Sequence, residues 1–305
     1  DPAKARQAVK DLARKEGAIA IIGPLESFSA VEAAREAQKL GIPIITLTQR
    51  DGVADMGDYV FRNFLTTGLQ IDALVTYSMN NLGISRFAIL YPDDSYGREM
   101  MLRFWYTVAE KGGTVGGIEP YEINQTDFGD QIKRLIHLEE REGTVQLPRV
   151  DFDALFVPDS PLKARLIAPQ LEFHDVIGVR LLGMSEWNAP ELLQGEVDYL
   201  EGAIFVDVLF RDSHSLAVMD FLDRFYGAYG READGIEALA YDSTVLVVDA
   251  LLNHALRSRQ ELRDWLLELE NYAGVTGETS FSNVGDAVKT LYILTIQDGR
   301  IIQVR

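Results

Sequence analysis

Residues 18–52, AIAIIGPLESFSAVEAAREAQKLGIPIITLTQRDG, constrain the fold more than any other stretch of the chain. Two isoleucine-rich apolar runs flank a segment with helical periodicity, the pattern of a parallel βαβ unit. Parallel strands cannot be joined by a tight hairpin, so such a chain builds sheets whose faces are covered by crossover helices. The alternation continues. Strands are expected over 18–23, 42–48, 59–64, 86–91, 114–121, 152–158, 179–184 and 202–207. Helices over 69–82, 95–111, 127–142, 161–172 and 189–194 fall between the later ones. The fold class is therefore α/β, with parallel sheets flanked by helices.

Beyond residue 207 the rhythm changes to helices over 215–230, 235–257 and 259–270. The middle one is apolar on most of its circumference, which predicts deep burial. The end, AVKTLYILTIQDGRIIQVR, reads as a hairpin turning at Asp298-Gly299. Helix boundaries are marked chemically. Ser29-x-x-Glu32 reads as a capping box, closed by Gly41 and Pro43. Tyr96, Met100, Phe104 and Val108 form an apolar stripe that Gly112-Gly113 ends. Ser160-Pro161 and Asn188-x-x-Glu191 read as further helix starts.

At 305 residues the chain exceeds the usual single core and suggests two domains. Its 47 acidic against 29 basic residues give a net charge of −18, which repels phosphate backbones and argues against nucleic-acid binding. No apolar run is long enough to span a membrane. Zero cysteines exclude disulfides, thiolate metal sites and thiol catalysis in this segment.

Open α/β sheets bind ligands at the carboxyl ends of their strands, so the residue types there carry the functional reading. Ser27 and Ser29 sit where a helix follows the first strand. A hydroxyl and free N–H groups at that helix end suit a ligand carboxylate, while the plainer role of Ser29 is to cap the helix. Thr46 and Thr48 lie two apart near the next strand end, a spacing that points both hydroxyls to one side. Threonine is also an ordinary strand residue. Arg50 could pair with a ligand anion or with Asp51. Tyr96 lies on the apolar stripe, and Asp93 and Asp94 suit a helix start. Asp159 with Ser160, and Ser185-Glu186-Trp187, follow two successive strands. Glu186 is the favoured acid for a ligand ammonium, with Asp159 beside it.

Enzyme signatures are missing. There is no G-x-G-x-x-G and no G-x-x-x-x-G-K-[ST]. Gly183-Met184-Ser185-Glu186-Trp187 opens like a nucleophile elbow but lacks its second glycine. His137, His174, His214 and His254 have no metal-ligand spacing, and acidic pairs such as Glu139-Glu140 read as solvated faces. The expectation is a non-enzymatic protein with no cofactor and no metal.

Gly23-Pro24 with Ser27 and Ser29, then GIPIITLTQ, YVFRNFLTTGLQ, YPDDSYGRE, DALFVPDS and Ala240-Tyr241-Asp242 together resemble the type I periplasmic binding proteins, the class of the branched-chain amino-acid receptors. The resemblance covers essentially the whole chain. More narrowly, TLTQR, YVFRNFLT, DFDALFVPDS and VTGETSF look like the penicillin-binding protein activators of bacteria. It implies two lobes, one from 1–66 and 210–280, the other from 67–209 and 281–305, with hinge crossovers near 66, 209 and 280. It also implies a first βαβ unit upstream of Asp1, with an export or lipoprotein signal, and a periplasmic or otherwise extracytoplasmic location.

The function implied is capture of a small polar, amino-acid-like ligand in the interlobe cleft, for an ABC permease. Ser27, Ser29 and Thr48 would hold its anionic end, and Tyr96 and Glu186 would close over it. The alternative is an activator that binds a peptidoglycan synthase through its surface. One departure stands out. The receptors often carry R-x-x-x-x-D-x-x-Q at the first crossover; here Arg62 and Gln70 are present but Thr67 replaces the acid.

Overall fold

The computed structural model describes residues 1–138 and 149–304. The chain divides into two compact units, Asp1–Thr66 with Arg211–Leu291 and Thr67–Phe210 with Tyr292–Arg305. It begins in the first unit with α1 (Pro2–Arg14), β1 (Ile21–Ile22), α2 (Ser27–Leu40), β2 (Ile44–Thr46) and β3 (Val60–Arg62). These strands form a parallel sheet in the order β1-β2-β3. The second unit follows with α3 (Thr67–Asn80), β4 (Arg86–Pro92), α4 (Ser95–Glu110), β5 (Thr114–Tyr121), α5 (Gly129–Leu135), β6 (Ala154–Phe156), α6 (Pro161–Phe173), β7 (Arg180–Leu182) and β8 (Ile204–Asp207). The chain then returns to the first unit as α7 (Leu216–Tyr229), α8 (Gly235–Leu252), α9 (Arg259–Leu267), β9 (Tyr272–Gly274), β10 (Gly277–Phe281) and β11 (Ala287–Lys289). It ends in the second unit with β12 (Tyr292–Gln297) and β13 (Arg300–Gln303).

Strand pleating distributes the first unit's core between two layers, because successive side chains point to opposite faces. Ile44 and Val60 pack with Val9, Ala33 and Ala37 of α1 and α2. Their neighbours Ile45 and Phe61 join Leu246, Ala250, Leu262 and Phe281 on the other face. The second unit's sheet runs β13-β12-β8-β7-β6-β4-β5, parallel except for β12, which is antiparallel to both neighbours. On one face the Phe104 ring of α4 stacks on Phe156 at 4.1 Å and meets Phe87 edge-on at 5.6 Å. Ala88 and Leu155, the adjacent residues on those strands, pack on the other face with Ile132, Ile167 and Trp187.

Several boundaries differ from the expectation. Glu26, not Ser29, caps α2. Its carboxylate reaches the Phe28 and Ser29 amides of the first turn, and Ser29 becomes a buried residue inside the helix. Ser160 does precede α6 with Pro161 in the first turn, but its hydroxyl makes no capping bond. The segment expected as a helix over 189–194 is a single 3-10 turn, Pro190–Leu193. Asn188 is drawn away from capping it, because its amide donates to Asp207 and to the Leu209 carbonyl, each at 2.8 Å.

The expected helix over 127–142 is α-helical only over Gly129–Leu135, and residues 139–142, with Glu139-Glu140, lie outside the described residues. α8 stops at Leu252 and is covered on one side: Leu239, Leu246 and Ala250 are buried, while Val248 and Leu252 are exposed. Ala287–Lys289 does not belong to the terminal hairpin. It pairs with β10 in the antiparallel sheet β11-β10-β9, through Thr279 opposite Lys289 and Phe281 opposite Ala287. The third crossover therefore follows Leu291 rather than lying near 280.

Candidate functional site

Each unit presents one set of candidate residues at the carboxyl ends of its parallel strands. In the first unit the loop after β1 brings Ser27, in the first turn of α2, to Thr48 just beyond β2. Their hydroxyl oxygens lie 3.3 Å apart. Thr48 is buried, and its hydroxyl also accepts from the Arg50 amide at 3.3 Å. Thr46 does not join them. Its buried hydroxyl donates to the Phe61 carbonyl at 3.0 Å, tying β2 to β3. Ser29 is placed elsewhere again: its hydroxyl accepts from the Asp1 amino group at 3.2 Å.

The residue that sequence reasoning missed is Glu26. Its two carboxylate oxygens accept from Phe28 N at 3.0 Å and Ser29 N at 2.8 Å. Hydrogen bonds from Ser29 and from the two backbone amides hold this carboxyl below its ordinary value. Glutamate is not among the preferred N-caps, which is why the pattern pointed to serine. The Arg50 guanidinium lies over the exposed Phe28 ring, 5.7 Å from the centroid. Asp51 pairs with the buried Arg62 at 2.9 Å. Arg62 also forms two bonds to Asp286, at 2.5 and 3.1 Å. The arginine of the crossover motif is thus a structural rivet.

In the second unit the ends of β4, β5, β6 and β7 assemble acids and phenols. Asp94 caps α4 by accepting from Gly97 N at 2.7 Å. Tyr121, at the end of β5, donates its hydroxyl to Asp159 at 2.6 Å. The other Asp159 carboxylate oxygen accepts from Ser160 N at 2.6 Å, and its carbonyl accepts from the Trp187 indole at 2.8 Å. Ser185 N donates to Gln70 at 2.9 Å, so the glutamine of the crossover motif fixes the loop that carries Glu186. Glu186 itself is exposed.

Tyr96 departs from its stripe: Met100, Phe104 and Val108 are buried, whereas Tyr96 is 40% exposed. Desolvation, then the negative charges of Glu186, Asp159, Asp94 and Glu99, push its hydroxyl above the usual phenol range. Burial and the bond to Asp159 do the same for Tyr121. Both phenols therefore remain hydrogen-bond donors at neutral pH. Among the described residues no lysine or arginine forms an ion pair with Asp94, Asp159 or Glu186. Asp93 is paired with Arg98 at 2.5 Å.

Gly183 lets the loop after β7 close over the core. A Cβ there would lie 2.1 Å from the buried Trp187 indole. Gly183→Ala is expected to displace that indole and break its bond to Asp159, at a cost of about 2 kcal/mol. Chemical denaturation checks this, and an unchanged midpoint would show that the loop repacks freely. The second unit also contains a cavity of about 370 Å³ lined by Leu171, Val176, Arg180, Leu181 and Tyr199. It lies at the amino end of β7, away from the residues above.

A periplasmic binding protein family model matches residues 1–300. The chain belongs to that family. Among solved structures similar to this periplasmic binding protein is one from Rhodospirillum rubrum assigned to a branched-chain amino acid ABC transporter. It has a TM-score of 0.85 at 20% identity, with 100% of this chain and 85% of that one covered. LivJ of Streptococcus pneumoniae, a branched-chain amino acid transporter substrate binding protein in complex with isoleucine, has a TM-score of 0.62 at 24% identity over 100% and 85%. A solute binding protein of an ABC transporter from Rhodopseudomonas palustris, in complex with 3,4-dihydroxybenzoic acid, has a TM-score of 0.64 at 18% identity over 100% and 82%. At these identities the likeness is one of fold, the two-lobed type I architecture. No curated protein sequence matches the chain. Neither the family match nor these relatives support the narrower activator branch or a peptidoglycan synthase partner. Among the described residues no helix is long and apolar enough to cross a membrane.

Proposed function

We propose that this periplasmic binding protein is a non-catalytic, extracytoplasmic receptor that captures a small polar, amino-acid-like ligand for an ABC permease. The observation that supports it best is the acid and phenol constellation of the second unit. Among the described residues no lysine or arginine pairs with Asp94, Asp159 or Glu186, and Tyr96 and Tyr121 keep their protons beside them. Such a set accepts an ammonium group through charge-assisted bonds and offers an aromatic face to a cation. In the first unit, Ser27 and Thr48, whose hydroxyls meet at 3.3 Å, offer polar groups that suit such a ligand.

Calorimetric titration and thermal shift with amino acids, their amides and short peptides test the reading. A ligand that binds only the folded state raises the melting temperature. Glu186→Gln and Ser27→Ala are each expected to weaken the stabilising ligand by about tenfold, the loss of roughly one charged or good neutral hydrogen bond. Both side chains lie at accessible positions, so the ligand-free melting temperature should hold. If no member of the panel stabilises the protein, the receptor reading fails.

A further inference from the structure

The cavity of about 370 Å³ at the amino end of β7 lies wholly within the second unit and takes no part in the receptor site. Its volume falls in the range of small-ligand pockets, about 300–1,000 Å³. Ala168 and Leu171 of α6, Val176 from the loop that follows and Leu181 of β7 are buried and give it an apolar wall. Ile177 also lines it while remaining 76% exposed, which leaves apolar surface for a ligand to cover. Arg180 is the cation among the described lining residues. It opens β7, where its backbone is fixed by pairing with β6, and its side chain is partly buried. Its Nη1 donates to the Gly202 carbonyl at 2.6 Å. Only a glycine permits that approach, since a Cβ on Gly202 would lie 2.0 Å from Nη1. Among the described residues Arg180 has no ion pair and no other side-chain hydrogen bond, so Nε and Nη2 of its fork are uncommitted. Such a fork matches the two oxygens of a carboxylate. Glu172, Asp198 and Glu201 line the cavity too, but they are exposed and screened by solvent. With no second cation to offset them, the site suits one negative charge and disfavours phosphates and dicarboxylates.

We propose that this cavity is a second ligand site, for a small apolar monocarboxylate. The carboxylate meets the Arg180 fork, and an aliphatic or aromatic body covers Leu171, Val176, Ile177 and Leu181. The site stands apart from the receptor reading, whose residues lie at the carboxyl ends of the strands.

Calorimetric titration of the full chain with phenylacetate, cinnamate and octanoate, each beside its carboxamide, tests the site. At least one carboxylate is expected to bind, about tenfold more tightly than its amide, as a charge-assisted pair requires. Arg180→Gln is expected to bring that carboxylate down to the level of its amide. Ile177→Asp removes apolar contact and adds a like charge, and should weaken the carboxylate by about fivefold. Because Ile177 is mostly exposed, this variant carries the test even if Arg180→Gln fails to fold. Failure of all three carboxylates to bind overturns the proposal, as does an amide that binds equally well. Binding that survives both variants overturns it too, since the carboxylate then sits elsewhere. The receptor reading stands or falls separately, on a different panel and different residues.

Discussion

Asp242→Asn is expected to destabilise the first unit by about 3 kcal/mol, the cost of breaking a buried, fully bonded carboxylate. Asp242 projects from α8 at 5% exposure. One carboxylate oxygen accepts from Val275 N at 2.9 Å, and the other from Thr276 N at 2.8 Å and from the Thr276 hydroxyl. Those three donors belong to the tight link between β9 and β10. Gly274 is part of the arrangement, since a Cβ there would fall 2.3 Å from the carboxylate. An asparagine has a single acceptor oxygen and turns its N–H₂ toward either the Val275 amide or the Thr276 amide and hydroxyl, leaving at least one buried donor unmet. Chemical denaturation of the variant against wild type measures the loss. A change below about 1 kcal/mol would mean that the link re-forms around a water or a shifted backbone.

Lys289→Met is expected to act in the opposite direction, and to do so in a pH-dependent way. Lys289 lies on β11 at 9% exposure and donates to Thr279. Burial lowers its pKa from 10.5 to about 8, partly offset by the charge of Asp242. Below about pH 8 the lysine is charged in both folded and unfolded chains, and the folded protein carries the full desolvation cost. Between about 8 and 10.5 the unfolded chain holds a proton that the folded one has released, so stability rises with pH. A shift of this size corresponds to about 3 kcal/mol.

Methionine fills similar volume without the charge, at a cost of about 1 kcal/mol for the lost bond to Thr279. The variant should therefore exceed wild type by about 2 kcal/mol at pH 7, with the advantage shrinking as pH climbs through 8 to 10.5. An advantage that does not change across that window would show that Lys289 finds solvent in the folded state.

Neither of these effects was visible in the order of residues. The motif Ala240-Tyr241-Asp242 pointed to resemblance, but the partners of Asp242 lie at 275 and 276, across a turn between two strands that periodicity did not reveal. β9 and β11 are three residues each, too short for an alternation to register. The parallel strands and their crossover helices were legible because isoleucine runs and four-residue stripes encode burial directly. Phe104 and Val108 are examples. The candidate site was legible as a set of positions at strand ends. Its wiring was not, because the destination of a hydroxyl depends on which strand lies alongside. Thr46 turns to its β3 neighbour, while Thr48, past the end of the pairing, turns to Ser27. Glu26 escaped notice for a related reason: a long acidic side chain caps a helix by folding back, a conformation that composition does not mark.

The return of the chain to each unit has a consequence for how the protein must be made. β8 finds its antiparallel neighbour β12 only after the intervening helices and the small sheet have been synthesised, and α8 and α9 reach the β1-β2-β3 sheet only after the other unit's strands β4 to β8. Neither unit can therefore be completed as a growing segment emerges. Both must hold partly built sheets until distant stretches arrive, which is the condition of high contact order and slow folding. The waiting strand edges are also where a half-made chain would aggregate.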